Sequence, residues 1–126
     1  MTAWRRLLAV FVGGMAGGGA RLGLSAGFGT PTGVPWDTLV TNLSGALLLG
    51  YVLTRLLSAA RRTTVTIPLL CTGVLGSYTT FSALSLETWT LLRGDRPALG
   101  VGYAVASVLL GLAAAAAGIR IAERSA

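Results

Sequence analysis

Histidine and lysine are absent from this chain of 126 residues, and cysteine occurs once. Without histidine there is no side-chain zinc site of the usual kind and no imidazole for acid–base or nucleophilic catalysis. A single cysteine, Cys71, closes no disulfide within the chain and reads as a small buried apolar residue. Charge is scarce as well: 11% of residues are charged, against about 25% in a soluble domain. The four acidic residues (Asp37, Glu87, Asp95 and Glu123) are scattered. No nucleophile, base and orienting group can be assembled from this set, so an enzyme has no support.

What the chain has is apolar. Hydrophobic residues make up 53%, glycine occurs 18 times, and the mean hydropathy is +0.74. That is the composition of a membrane protein. A membrane helix needs roughly 20 apolar residues, so four spans use nearly the whole chain as one domain. The apolar runs predict spans over 7–25, 38–57, 65–92 and 98–121. The start, Trp4-Arg5-Arg6 and an apolar run, resembles a signal peptide superficially. The run is too long and lacks a cleavage context, so it reads as the first span.

The net charge is +6 and every basic residue is an arginine. A pI of about 11.1 invites a nucleic-acid reading, but the arginines sit singly or in pairs at the edges of apolar runs. That is the pattern of arginine snorkelling toward headgroups, so lipid and not nucleic acid is the expected partner. With four spans, Arg5, Arg6, Arg55, Arg61, Arg62, Arg120 and Arg124 share one side, and Arg21, Arg93 and Arg96 the other. The excess predicts cytoplasmic termini.

Within the spans, several residues depart from apolar filler. In the first, Gly13, Gly14, Gly17, Gly18 and Gly19 form overlapping G-x-x-x-G pairs that let helix backbones approach. Arg21, near its far end, is either an interfacial arginine or one that draws anions into a vestibule. Gly27 to Asp37 reads as a loop, with Asp37 as the N-cap of the second span. Asn42 inside a span is costly unless its amide is paired, so it bridges helices or faces a polar path. Glu87, towards the end of the third span, is interfacial or lines the approach to such a path. Tyr103, Ser107 and Gly111 recur every four residues on one face of the fourth, as packing glue or as an ion's escort.

Gly73-Val-Leu-Gly-Ser-Tyr-Thr-Thr-Phe-Ser-Ala-Leu84 is the least helical stretch in an apolar segment. Two glycines three apart, then Ser77, Tyr78, Thr79, Thr80 and Ser82, predict a break in the third helix. At membrane depth a break is tolerated only where protein or a water-filled path covers the freed backbone. The reading is therefore an all-α membrane protein whose third helix is broken for a function.

Three motifs in order resemble the CrcB/Fluc fluoride channel family. Gly13 to Arg21 is similar to its glycine-rich first helix ending in arginine. Thr38-Leu-Val-Thr-Asn42-Leu-Ser-Gly45 resembles T-L-x-V-N-x-x-G. Gly73-x-x-Gly76-x-x-Thr79-Thr80-Phe81-Ser82 resembles G-x-x-G-G-x-T-T-F-S, and Glu87 falls where the family has an acid. The resemblance implies an antiparallel dimer of four-helix subunits in the cell membrane, exporting fluoride along paths at the subunit interface. It implies a central structural sodium ion on the carbonyls of Gly76 and Thr79. It makes Asn42 and Phe81 the pore residues, with Thr80, Ser82, Glu87, Tyr103 and Ser107 as polar lining.

Two departures qualify it. Ala83 and Leu84 stand where the family continues with Thr and a second pore Phe, and Asp37 stands where Gly is common. Together with the arginine bias, Leu84 raises the alternative of one non-autonomous half of a heterodimer with an antiparallel paralogue, against a homodimer. A small proton-coupled multidrug-type antiporter is a further alternative. It requires an acid deep in the first span, and there is none.

Overall fold

The computed structural model describes residues 3–28, 33–58 and 64–125. Arg61 and Arg62, expected in the loop after the second span, lie outside the described residues. The described chain is helical: α1 (Ala3–Phe28), α2 (Trp36–Ser58), a π-helix (Pro68–Leu75), a single turn α3 (Gly76–Tyr78), α4 (Phe81–Arg93) and α5 (Pro97–Arg124). Four helical units are long and apolar enough to cross a membrane, with the π-helix, α3 and α4 forming the third. Ahead of the π-helix, Thr66 and Ile67 are already helical.

The termini of α2 correct one expectation. The helix begins at Trp36, and the Leu39 N–H donates to the Pro35 carbonyl at 3.1 Å, so Pro35 holds the cap position and Asp37 lies inside the first turn. Proline lacks the N–H that a helix start leaves unsatisfied, and a carboxylate in the first turn still meets the positive end of the helix dipole. α5 opens on Pro97 by the same logic.

Glycine sets how closely the helices approach. The most extensive contacts pair α2 with α5 and α1 with the π-helix. Gly17 faces the Val74 backbone so closely that a Cβ would collide with the Val74 carbonyl, and Gly13 faces the Leu69 carbonyl in the same way. On the other side, a Cβ on Gly118 would collide with the Leu47 carbonyl. Gly18 and Gly19 meet nothing within 4 Å. Only one register of the glycine-rich run thus packs against its neighbour.

The outside of the bundle is apolar, with Phe11, Met15, Leu22, Leu86, Leu109 and Leu112 all more than 60% exposed. In lipid this is the stable arrangement, since hydrocarbon competes with no core for such side chains. At one end the Arg93 guanidinium lies 4.5 Å from the centre of the Trp89 ring, a cation–π pair suited to a membrane boundary. At the other, Arg55 Nη1 donates to the Ser125 carbonyl at 2.7 Å, tying the end of α2 to the end of α5.

Candidate functional site

The third span is interrupted at Thr79 and Thr80, three and four residues beyond the second glycine that marked the break in the sequence. Thr79 (ψ 156°) and Thr80 (φ −146°, ψ 123°) are extended between helical neighbours. β-branched residues accept this backbone readily. Upstream, the break is preceded by something the sequence did not announce: eight residues of π-helix, at whose end the Gly76 N–H donates to the Cys71 carbonyl five residues back.

Asn42 of α2 spans the break. Its Nδ2 donates to the Thr80 carbonyl at 2.9 Å, and its Oδ1 accepts the Thr80 N–H at 2.8 Å. One side-chain amide thus satisfies both polar groups of a residue that has left the helix, which removes the penalty for exposing them in an apolar medium. Beside it, a Cβ on Gly45 would collide with the Thr79 methyl group, so α2 and the break meet in direct contact. The Ser44 hydroxyl donates to the Val40 carbonyl at 2.7 Å and lies 3.0 Å from the Tyr78 hydroxyl, which therefore acts as the donor in that second contact. Thr80 also caps α4, its Oγ1 accepting the Ala83 N–H at 3.2 Å.

These bonds have a consequence for two carbonyls. In a continuous helix the Gly76 oxygen would accept from Thr80 N–H and the Thr79 oxygen from Ala83 N–H. Here the first donor goes to Asn42 and the second to the Thr80 hydroxyl. The break therefore frees the two oxygens that the resemblance assigned to a cation.

A second polar cluster joins α2, α4 and α5. Glu87 Oε1 accepts from Thr38 Oγ1 at 2.6 Å and Oε2 accepts from Tyr103 Oη at 2.7 Å. Thr38 and Tyr103 are buried. Each carboxylate oxygen of Glu87 thus has its own hydroxyl donor. Ser107, one turn beyond Tyr103, is buried with a hydroxyl that has no hydrogen-bond partner among the described residues. The α5 ladder of Tyr103 and Ser107 therefore points inward.

Two cavities meet at Glu87. The inner one, of about 290 Å³, is walled by residues that include Arg21, Asp37, Thr38, Thr41, Thr80 and Glu87. The outer one, of about 640 Å³, runs past Pro35, Thr90, Asp95 and Arg96 to the end of α4. Arg21, Thr80 and Glu87 are brought together by the inner cavity, with Asn42 bonded to Thr80. Phe81 is not part of either: it is 79% exposed on the outer surface, beside the exposed Ser82, whose Oγ is 3.1 Å from Thr80 Oγ1. Leu84 is half-buried.

Sequence reasoning left Thr38 and Thr41 without a role. The signal was there in the spacing, because Thr38, Thr41, Asn42 and Gly45 share one face of α2 at intervals of three and four. Nothing in the sequence said which face that was.

A model of the family described as CrcB-like protein, Camphor Resistance (CrcB), matches residues 8–119. Among curated relatives, the chain is 44% identical over 112 residues to a protein from Mycolicibacterium paratuberculosis named "Fluoride-specific ion channel FluC 1", covering 88% of this chain and 85% of the relative. A Paracoccus denitrificans protein named "Fluoride-specific ion channel FluC" is 43% identical over 116 residues, covering 90% and 91%. One of the same name from Thermus thermophilus is 40% identical over 118 residues, covering 92% of each.

Proposed function

The chain belongs to the CrcB-like family, and from that premise we propose that it is a fluoride-selective ion channel of the cell membrane that lowers fluoride toxicity. HF, a weak acid, crosses lipid and ionises inside; the trapped anion then leaves down its electrochemical gradient. The observation that carries the reading is the break at Thr79 and Thr80, clamped by Asn42 within a membrane-spanning helix.

Fluoride is small, strongly hydrated and a strong hydrogen-bond acceptor, so it sheds water only where donors replace it. Asn42 Nδ2 carries two N–H groups and spends one on Thr80. Its amide plane is fixed by the two-point pairing, so the second N–H is a pre-oriented donor. The Thr80, Ser82 and Ser107 hydroxyls extend the lining, with Glu87 at the junction of the cavities and Tyr103 bonded to it. Phe81, exposed on the surface that a second subunit would cover, offers an electropositive ring edge. Arg21 supplies the positive charge in an inner cavity wall that also carries Asp37 and Glu87.

The Gly76 and Thr79 carbonyls, released by the break, are hard oxygen ligands that fit a sodium ion. Such an ion supplies a fixed positive charge that satisfies the freed carbonyls. Two oxygens are fewer than a hard cation takes, which supports an antiparallel dimer in which each subunit contributes its pair. The same arrangement brings Phe81 of one copy to the path of the other.

A second reading has specific support. Seven arginines against three on the two sides, and leucine at position 84, favour a chain of fixed orientation, termini in the cytoplasm, paired with an antiparallel paralogue. Vesicles containing this chain alone decide it: rapid fluoride efflux with negligible chloride efflux establishes a homodimeric fluoride channel. Equal leakage of both anions overturns the channel reading, and silence relieved by a co-reconstituted paralogue establishes the heterodimer.

A further inference from the structure

Of the three threonine hydroxyls in the inner cavity wall, two have hydrogen-bond partners. Thr38 donates to Glu87, and the Thr80 hydroxyl accepts from Ala83 N–H and contacts Ser82. Thr41 is different. It is 1% exposed, and its Oγ1 has no hydrogen-bond partner among the described residues. A buried hydroxyl without a partner destabilises a protein relative to valine, which has the same shape and no polar atom. The motif that α2 resembles has valine at this position. Thr41 therefore carries a cost that the fold does not require.

We propose that Thr41 is a specificity-determining residue of the conduction path: its hydroxyl donates to an anion held in the inner cavity, whose wall also includes Arg21. This rests on the reading of the chain as a fluoride channel. The cavity wall carries one basic residue, Arg21, and two acidic ones, Asp37 and Glu87. Glu87 is acidic, but each of its oxygens is already occupied by a hydroxyl donor. Asp37 is acidic, but it lies in the first turn of α2, where the helix dipole offsets it. Arg21 is the cation in the wall, and Thr41 the threonine there whose hydroxyl has no partner among the described residues. A small anion that accepts strong hydrogen bonds gains from both, and a larger, weakly accepting halide gains less. Thr41 thereby sharpens discrimination as well as affinity.

The test is fluoride flux through reconstituted protein as a function of fluoride concentration, for wild type, Thr41→Val and Thr41→Ser, with chloride as the comparison anion. The expected result is a half-saturating fluoride concentration raised about tenfold in Thr41→Val, the loss of about 1.4 kcal/mol. Thr41→Ser should return it to within about threefold of wild type. An unchanged half-saturation in Thr41→Val overturns the proposal, most clearly if its melting temperature rises, because the hydroxyl then serves nothing. Equal impairment of the serine and valine variants also overturns it, since shape and not the hydroxyl would be responsible. If the valine variant does not fold, Thr41→Ala against Thr41→Ser, two residues of similar volume, gives the same decision. Wild-type fluoride flux is measured in the same series, so failure of the proposal is distinguishable from failure of the channel reading.

Discussion

Asn42 and Thr80 are paired as two peptide groups pair across a β-ladder: each donates one N–H to the other's carbonyl oxygen, at 2.9 and 2.8 Å. The side chain of α2 thereby stands in for the helical partners that Thr80 lacks. If Asn42 lines the fluoride path as proposed, conduction and stability are coupled at one residue. Asn42→Ala leaves a donor and an acceptor unpaired, at about 1–3 kcal/mol for each unsatisfied group. Thermal unfolding in detergent should drop accordingly, and fluoride efflux should be lost. Asn42→Asp is the more discriminating variant. It retains the acceptor for Thr80 N–H and loses both N–H donors, so it should keep more of the stability than Asn42→Ala while being equally inactive.

How much of this was legible beforehand follows from what hydropathy can and cannot encode. The spans and the existence of a break were readable, because apolar length and a cluster of glycine and hydroxyl residues are local signals. The position of the break at Thr79 and Thr80 was not, since it depends on Asn42 reaching 38 residues along the chain. The π-helix was hidden for the same reason: its wide turn is fixed by packing against Gly13 and Gly17 on α1. Glu87 was visible as an unusual acid, but its Thr38 and Tyr103 partners come from two other helices. Asp37 misled because a capping side chain marks the start two residues too late; Pro35 holds the cap through its carbonyl.

The Glu87 cluster predicts non-additivity. Thr38 and Tyr103 each donate to a different oxygen of one carboxylate. Thr38→Val or Tyr103→Phe alone leaves the carboxylate one donor. The double variant leaves a half-buried carboxylate without either of its hydroxyl donors, which is costly. The double variant should therefore be less stable than the two singles added together, by an interaction of about 1 kcal/mol or more. Adding Glu87→Gln should recover much of that loss, as measured by chemical or thermal unfolding of the reconstituted series.

Neighbouring glycines in α1 should behave oppositely. Gly17→Ala places a methyl group against the Val74 carbonyl, with backbone and not a flexible side chain in the way. Overpacking of this kind costs about 1–3 kcal/mol. Gly18→Ala meets open space and gains up to about 1 kcal/mol of helix propensity. Melting temperatures of the two variants should fall on either side of wild type.

If the Gly76 and Thr79 carbonyls hold sodium, the assembled protein should depend on that ion for stability. Protein prepared in N-methylglucamine salts should melt lower than protein in sodium, and return on addition of sodium in proportion to RT ln(1 + [Na⁺]/Kd). Potassium should restore less, since an oxygen cage sized for one cation fits a larger one poorly. Ser77→Ala, next to but not among those carbonyls, should leave the sodium effect intact. A melting temperature indifferent to the cation would remove the ion from the account.

Leu84 is the position where the chain departs from the aromatic pattern it otherwise resembles, and it is where the dimer question is sharpest. Leucine has no electropositive edge, whereas a phenylalanine ring presents one to an anion. Leu84 is half-buried, one helical turn beyond Phe81 and on the same element, α4. A change to Phe therefore adds a ring edge near the existing one without building a new polar group. Should the homodimer conduct, Leu84→Phe is expected to raise fluoride efflux per protein severalfold, with chloride efflux unchanged. In an obligate heterodimer the same variant should convert a chain that is silent alone into one that conducts. An efflux rate unaffected by Leu84→Phe in either setting would mean that a second ring edge from this chain is not what limits fluoride passage.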